Sequence, residues 1–349
     1  MIALQIVSYG LCGKTALCAG IGKKLINSGK KVAYIKPLQV AGQDKRDNCS
    51  DALFVNEALE LGESKEQVCP IHLSQEDLWR NLSENADSFS SRIKAACDAA
   101  AAGREILIVE SPGGLKGDQV SALACFTIAE KIGAKVILLL SYPDGFKGDD
   151  FIQAAKKFGD KLAGVVINQV PESRLSAVQR EASEYFKSQS ITLLGIIPEA
   201  RALAGVSVGE LAVAMNGEII SSADKAGDLI ENVMLGAMSP DSGRDYFNRK
   251  RNKAVVTRSE RADMQLAALE TSTKCLIVTG RKPNASVMVK AEDKKVPVVL
   301  VNKEINEIIA DIEQALSRAR FQNAHKLQTI TAILDSRFDY KALNAALGI

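Results

Sequence analysis

The sequence predicts an α/β fold in two parts: a mostly parallel sheet with helices on both faces, followed by a smaller α/β domain. Short runs rich in valine, isoleucine and leucine alternate with helical stretches along most of the chain. These runs largely lack the period-two alternation of half-exposed strands, which favours parallel strands covered on both sides. At 349 residues the chain is also longer than one hydrophobic core usually supports. We therefore expect two domains.

The first domain is predicted over residues 1–200 and alternates strands with helices. Its strand candidates are Ile2–Val7, Val32–Leu38, Glu105–Glu110, Lys135–Ser141, Leu162–Val170 and Ile191–Pro198. Its helix candidates are Ser50–Leu61, Ser91–Ala102, Gln119–Ile132 and Arg174–Lys187. Ligands of such sheets bind at the carboxyl ends of the strands, so the loops that follow these strands are expected to form a site.

The second domain is predicted over residues 206–318, after a linker at Ala200–Gly205. Ser207 and Glu210 have the spacing of a capping box at the start of its first helix. Its strand candidates are Val233–Ala237, Lys253–Thr257, Cys275–Thr279 and Val296–Val301. Its helix candidates are Asp241–Arg251, Arg261–Thr271, Ala285–Asp293 and Asn306–Ala319.

A C-terminal helical tail is predicted over residues 319–349. Its apolar residues recur at helical spacing, as shown by Leu327, Ile330, Ile333 and Leu334. This stripe is expected to pack on a domain or on a partner subunit.

The composition is that of a soluble globular protein, with 46% hydrophobic and 25% charged residues. A formal net charge of +2 supports neither nucleic acid nor an anionic membrane surface as a partner. The apolar run Ile2–Val7 is short and no basic segment precedes it, so neither a signal peptide nor a membrane span is expected. The expected location is the cytoplasm.

The seven cysteines and two histidines form no CxxC pair and no cysteine–histidine cluster along the sequence. Reduced, mostly buried thiols are therefore expected. His72 and His325 lie far apart without paired ligands, so neither a zinc site nor a histidine-dependent triad is expected. Cys12 lies near a lysine and a helix N-terminus, a setting that lowers a thiol pKa. The alternative interpretation is that Cys12 is only a small residue of the loop.

The stretch Ser8–Thr15 joins the first predicted strand to the first helix. At such a corner, backbone N–H groups and the Lys14 ammonium can bind phosphates, while Thr15 can hold Mg²⁺. The predicted nucleotide-binding positions of this corner are Gly10, Cys12, Gly13, Lys14, Thr15 and Ala16. Ser8 stands where the motif usually has a glycine, so a plain helix start with a lysine is the alternative interpretation.

Further polar residues end other predicted elements of the first domain. Lys36 closes the second strand and could reach the same phosphates. Asp51 lies in the first turn of a helix, where the helix dipole alone would also favour a carboxylate. Glu110 ends the third strand before a glycine turn and could complete an oxygen shell for Mg²⁺. Asn168 and Pro198 end the last two strands and could frame an adenine.

The order and spacing of these motifs resemble the dethiobiotin synthetase and cobyrinate diamide synthase group of P-loop ATP-dependent ligases. The matching segments are Gly13–Thr15, Lys36–Pro37, Asp51, Glu110–Gly114, Asn168–Val170 and Ile197–Glu199. The resemblance implies a P-loop NTPase-like fold that binds ATP or ADP with Mg²⁺. It places Mg²⁺ near Thr15, Asp51 and Glu110. It places the phosphates at Gly13, Lys14 and Lys36, and the adenine near Asn168. Lys14 and Lys36 would be the catalytic residues of a ligase.

The chain departs from that family around the phosphate loop. Tyr9, Gly10, Leu11 and Val40 occupy places where dethiobiotin synthetases carry polar residues. Polar donors near the γ-phosphate stabilise developing charge in a ligase. These departures argue against turnover more than against ATP binding, so a non-catalytic protein or a weak ATPase is expected.

The second half resembles a DRTGG domain, with matching blocks at Glu231–Ser239, Lys253–Thr257, Arg261–Glu270 and Cys275–Gly280. In that family, a synthetase-like domain followed by DRTGG forms the N-terminal regulatory region of long bacterial phosphotransacetylases. The chain is similar to this region up to about Arg318, and with the sequence ending at Ile349 the acetyl-transfer domain is not expected. DRTGG domains commonly self-associate, so the resemblance also implies a homodimer.

These resemblances lead to one main hypothesis and two alternatives. The main hypothesis is a nucleotide-binding regulatory or scaffold protein that acts on a separate phosphotransacetylase catalytic protein in acetyl-phosphate and acetyl-CoA metabolism. The first alternative is a Mg²⁺-ATP-dependent ligase of the dethiobiotin synthetase type. The second is a structural relic that no longer binds nucleotide.

Overall fold

The computed structural model describes residues 1–10, 13–41, 49–236, 243–317 and 321–349, with the backbone alone for residues 41, 243 and 317. The chain forms two compact units. The first unit contains Met1–Glu199 and Lys326–Ile349, and the second unit contains Ala200–His325.

The elements alternate along both units. The strands are β1 (Ile2–Ser8), β2 (Val32–Ile35), β3 (Leu38–Ala41), β4 (Ile71–Ser74), β5 (Ile106–Gly114), β6 (Lys135–Ser141), β7 (Leu162–Val170), β8 (Leu193–Pro198), β9 (Val206–Ser207), β10 (Glu218–Ser221), β11 (Leu229–Ile230), β12 (Asn232–Leu235), β13 (Lys253–Arg258), β14 (Thr273–Thr279) and β15 (Val298–Val301). The helices are α1 (Lys14–Asn27), α2 (Ser50–Ala58), α3 (Lys65–Val68), α4 (Gln75–Glu84), α5 (Ala86–Ala100), α6 (Gln119–Lys131), α7 (Asp149–Lys157), α8 (Leu175–Ser188), α9 (Arg201–Ala204), α10 (Val208–Ala214), α11 (Gly243–Asn248), α12 (Ala262–Leu269), α13 (Ala285–Asp293), α14 (Ile305–Ser317), α15 (Ala324–Arg337) and α16 (Tyr340–Leu347).

The first unit is built on a six-stranded parallel sheet with the order β2-β5-β1-β6-β7-β8. Separate apolar clusters cover its faces. One contains Leu138 and Phe151, and the other contains Leu107 and Phe89. Burial on both faces explains the continuous apolar runs of the strands. The predicted fold class, a mostly parallel sheet flanked by helices, is confirmed.

The predicted strand Val32–Leu38 is wrong in its C-terminal part. β2 ends at Ile35, and β3 leaves the main sheet to pair in parallel with β4, with Leu38 opposite Ile71. Pro37 has no N–H to donate to a sheet ladder, and the Lys36 N–H donates instead to the Val68 carbonyl at 2.8 Å. Lys36 Nζ lies 3.9 Å from Glu110 Oε1 on β5.

The C-terminal tail packs on the first unit. Ile330 and Leu334 of α15 are buried, and a Cβ atom placed on Gly20 of α1 would lie 2.5 Å from Leu334 Cδ1. The Asp339 N–H donates to the Leu194 carbonyl at 2.7 Å. The apolar stripe predicted packing either on a domain or on a partner subunit. The structure shows packing on a domain of the same chain.

The second unit is built on a five-stranded sheet with the order β10-β15-β14-β13-β12. Four of its strands are parallel, and β10 pairs antiparallel with β15 at one edge. The predicted capping box is confirmed at α10. Ser207 Oγ accepts from the Glu210 N–H at 3.2 Å, and Glu210 Oε2 accepts from the Ser207 N–H at 2.7 Å.

A buried lysine in the second unit makes stability depend on pH. Lys253 has no exposed surface, and its ammonium donates to Thr271 Oγ1 at 2.8 Å. Burial lowers the Lys253 pKa from 10.5 to about 8. Between these pH values the unfolded chain binds more protons than the folded chain, so the free energy of unfolding should rise as pH increases from 8 to 10.5.

Lys253→Met should therefore stabilise the protein by about 1–3 kcal/mol at pH 7, where the buried charge is still present. The advantage over the wild type should vanish above pH 10.5. Denaturant unfolding of both proteins across this range measures the difference. Lys274→Met is the matched control, because Lys274 is 45% exposed and pairs with Asp228. Equal stability of Lys253→Met and wild type at every pH would contradict the prediction.

Among the described residues, no helix combines the length and the apolar character needed to cross a membrane.

Candidate functional site

The loop that follows β1 packs against the end of β5. The Leu115 N–H donates to the Ser8 carbonyl at 2.9 Å, and the Lys116 N–H donates to the Tyr9 carbonyl at 2.6 Å. A Cβ atom on Gly114 would lie 2.9 Å from the Gly10 carbonyl oxygen. The glycine turn after Glu110 is therefore needed for this close approach of two backbone segments.

Gly13 precedes α1 in a left-handed conformation, with φ 73°, which glycine adopts without steric cost. The next residue, Lys14, begins the helix, and its side chain reaches the ends of β1 and β5. Its ammonium donates to Ser8 Oγ at 3.0 Å and to the Gly113 carbonyl at 2.6 Å. A positive charge thus lies beside the N-terminus of a 14-residue helix, a combination that attracts phosphate.

Glu110 is the centre of a buried polar cluster and is only 2% exposed. Thr15 Oγ1 donates to Glu110 Oε1 at 2.9 Å, and the Tyr34 hydroxyl donates to Oε2 at 2.8 Å. Lys36 Nζ lies 3.9 Å from Oε1. A hydroxyl and a carboxylate oxygen side by side are ligands that Mg²⁺ prefers. The donor set of this cluster therefore fits that ion.

The charges of this cluster shift the pKa values of two nearby side chains, Tyr34 and Cys18. The pKa of Tyr34 lies well above its ordinary value, chiefly because the phenol is buried and then because Glu110 is negative. Burial and Glu110 likewise raise the pKa of Cys18, while Lys14 and Lys36 oppose the shift. Asp51 also contributes to raising the Tyr34 pKa, so its charge acts on the same cluster.

The structure brings Thr15, Lys36 and Glu110 together by direct contact. Lys14 adjoins Thr15 in the chain, and its ammonium contacts Ser8 and Gly113. Asp51 lies in the first turn of α2, and Ala16 is buried in the first turn of α1.

The other predicted positions have neighbours outside this group. A Cβ atom on Gly10 would lie 2.8 Å from Asp144 Oδ2, and one on Gly13 would lie 3.1 Å from Asn168 Nδ2. Pro198 ends β8 opposite Val170. Cys12 and Leu11 lie outside the described residues.

Residues that the sequence did not predict as binding positions complete the cluster. Tyr34 lies inside a buried strand, and its only signal is a hydroxyl in an apolar run. Ser8 stands out only as a departure from the loop motif, yet it accepts a hydrogen bond from Lys14. The Gly113 carbonyl could not have been found from side-chain chemistry.

The sequence analysis expected reduced thiols and no cysteine–histidine cluster. Both expectations are wrong at one place. Cys49 and Cys69 form a disulfide across 20 residues of sequence, and His72 Nε2 lies 3.9 Å from Cys49 Sγ. The start of α2 and the approach to β4 bring them together, which sequence spacing alone does not show. The other described cysteines, Cys18, Cys97, Cys125 and Cys275, are buried free thiols.

Comparisons with known proteins agree with the two-part fold. Residues 10–207 match the family model AAA_26, described as an AAA domain, and residues 210–315 match the DRTGG domain. The chain is 21% identical over 355 residues to a phosphate acetyltransferase of Deinococcus radiodurans, covering 96% of this chain and 49% of that protein. It is 26% identical over 205 residues to an ATP-dependent dethiobiotin synthetase of Methanococcus vannielii, covering 54% of this chain and 89% of that protein.

Among solved structures, the MinC:MinD cell division protein complex of Aquifex aeolicus is 19% identical, with a TM-score of 0.33, covering 58% of this chain and 84% of that chain.

The chain spans about half the length of the phosphate acetyltransferases it matches. The resemblance to a dethiobiotin synthetase-like P-loop domain followed by a DRTGG domain is confirmed.

Proposed function

Because the chain belongs to the AAA_26 family of AAA domains and carries a DRTGG domain, we propose that it is a Mg²⁺-ATP-binding regulatory or scaffold protein. The observation that supports this most is the cluster in which Glu110 accepts from Thr15 at 2.9 Å, beside Lys14 and Lys36. The described part of the phosphate loop, by contrast, presents Tyr9 and Gly10 where a ligase would need polar donors. Binding without efficient turnover is the function that this combination favours.

Each residue of the cluster has a distinct task in the proposed complex. Lys14 would exchange its bonds to Ser8 and Gly113 for bonds to phosphate oxygens, and Lys36 would add a second positive charge. Thr15, Glu110 and Asp51 would hold Mg²⁺, whose charge neutralises the phosphates. Asn168 would lie on the adenine side of the loop.

The regulatory role and its setting are part of the same proposal. The chain is similar to a phosphate acetyltransferase over 49% of that protein, and this similarity supports a partner with acetyl-transfer activity. ATP occupancy would bias the arrangement of domains or subunits, and the DRTGG domain would pass that bias to the partner. We further propose a homodimer and a cytoplasmic location. Light scattering after size-exclusion chromatography tests the dimer, and a monomer at every concentration would contradict it.

Calorimetric titration of the full chain with ATP and with ADP, each with and without Mg²⁺, tests nucleotide binding. We expect binding that is tighter with Mg²⁺. Lys14→Ala should weaken it roughly 10- to 100-fold, because a charge-assisted hydrogen bond contributes about 1.5–3 kcal/mol.

The matched control is Lys23→Ala. Lys23 lies on the same helix but pairs with Glu60 at 3.1 Å on the surface, so its removal should leave nucleotide affinity unchanged. Absence of binding at millimolar nucleotide, or equal weakening by both substitutions, would contradict the proposal and favour a structural relic.

A Mg²⁺-ATP-dependent ligase of the dethiobiotin synthetase type is the second candidate. The 26% identity to such an enzyme over 89% of its length favours it, as does the presence of both lysines at the cluster. Phosphate release should then require a diamine or carboxylate co-substrate and should be lost in Lys14→Ala and in Lys36→Ala. Phosphate release that is absent with every co-substrate tried would leave the regulatory proposal as the better one.

A further inference from the structure

A cluster of soft metal-ligand atoms lies in the first unit, outside the nucleotide site. It contains Cys49, Cys69 and His72, whose ligand atoms lie within 4.8 Å of one another. Both cysteines are almost completely buried, at 0% and 1% exposure, whereas His72 is exposed. Two sulfurs and an imidazole nitrogen are the donors that zinc and related ions prefer.

The main chain already holds these donors near a shared point. Cys49 directly precedes α2, in a left-handed conformation with φ 57°, Cys69 follows α3, and His72 lies on β4. The Cα atoms of the cysteines are 6.5 Å apart, near the long end of the disulfide range, so the sulfurs could separate with little backbone movement. Cys49 Sγ lies 3.9 Å from His72 Nε2, close to the roughly 3.6 Å that separates sulfur and nitrogen around one tetrahedral zinc ion.

Oxygen groups complete the surroundings of this cluster. His72 lies opposite Gln39 in the parallel β3–β4 pair, and Gln39 Oε1 is 4.0 Å from Cys49 Sγ. His72 Nε2 also lies 3.0 Å from the Cys69 carbonyl oxygen, a contact that a metal would replace. The exposed side of His72 leaves room for a water as fourth ligand.

We propose that the reduced form of this cluster binds one zinc-like divalent ion through Cys49, Cys69 and His72. The disulfide must first be opened by a dithiol reductant, whose two thiols become a disulfide while the two cysteines gain two electrons and two protons. The metal then displaces the two thiol protons, which pass to solvent, and binds the two thiolates and the neutral imidazole. The first turn of α2, which also carries Asp51, is held by the disulfide in one state and by the metal in the other.

Titration with Co²⁺ as the only added metal tests the proposal on the full chain. The protein is reduced with excess dithiol, which is removed under anaerobic conditions, and Co²⁺ is then added. We expect one equivalent to bind with the absorption of thiolate-to-cobalt charge transfer and of tetrahedral cobalt. Zn²⁺ should displace the cobalt and raise the melting temperature of the reduced protein. The oxidised protein should show no thiolate band.

His72→Ala is the decisive variant, because His72 is exposed and its removal should not prevent folding. Removing a group that only hydrogen-bonds to a metal ligand already lowers metal affinity about 10- to 100-fold. Removing the ligand His72 itself should therefore lower the Co²⁺ affinity at least about tenfold. Cys49→Ala should abolish the thiolate band, while Cys97→Ala, which removes a buried free thiol of the same unit, should keep it. Co²⁺ binding without a thiolate band, or with equal affinity in His72→Ala, would overturn the proposal.

Discussion

Replacing Glu110 with alanine should destabilise the first unit by about 2–4 kcal/mol, because the substitution leaves buried partners without an acceptor. The hydroxyls of Thr15 and Tyr34 both donate to this carboxylate, and Tyr34 is 1% exposed. Each buried hydroxyl left unpaired costs roughly 1–3 kcal/mol. Lys36, 3.9 Å away, would also lose the negative charge of this carboxylate.

Denaturant unfolding followed by the fluorescence of Trp79 measures this effect, since Trp79 is the single tryptophan of the chain and lies in the first unit. Glu110→Gln keeps the side-chain shape and should lose much less stability, yet it should remove the Mg²⁺ dependence of nucleotide binding. Glu181→Ala, which removes a surface carboxylate paired with Lys147, should leave unfolding unchanged. Wild-type stability of Glu110→Ala would show that the cluster does not hold the first unit together.

Leu334→Ala should cost about 2–4 kcal/mol in the free energy of unfolding, measured with the same fluorescence signal. Leu334 has no exposed surface, and it packs on Gly20 of α1, where no side chain is present to fill the resulting cavity. Because α1 begins at Lys14, the same substitution should also weaken nucleotide binding.

The matched control for this prediction is Leu123→Ala. Leu123 lies on α6 and is 42% exposed, so removing it creates no cavity and should have little effect. If both leucine substitutions cost the same, the tail would not be part of the first unit in solution.

The elements that sequence patterns predicted well are those whose signal is local. Lys135–Ser141 and Leu162–Val170 have the bounds expected from their apolar runs, because strands buried on both faces need uninterrupted apolar residues. The capping box at Ser207 depends on residues only three positions apart, so the chain segment carries all the information.

The predictions that failed concern a proline inside a predicted strand and contacts between residues that are distant in sequence. The expected strand Val32–Leu38 was too long, because Pro37 ends the ladder and the Lys36 N–H finds a partner at Val68. The cysteines were expected to be separate thiols, yet the start of α2 and the residues before β4 meet and join Cys49 to Cys69.

The sequence by itself determined the alternation of strands and helices, the helix start at Gly13–Thr15 after the first strand and the presence of two units. Only the tertiary structure decided that Tyr34 donates to Glu110, that Ser8 accepts from Lys14, and that His72 lies beside Cys49. The physical reason is that periodicity and capping act within one turn or one strand. Contacts across the sheet depend instead on strand order and register, which no local pattern specifies.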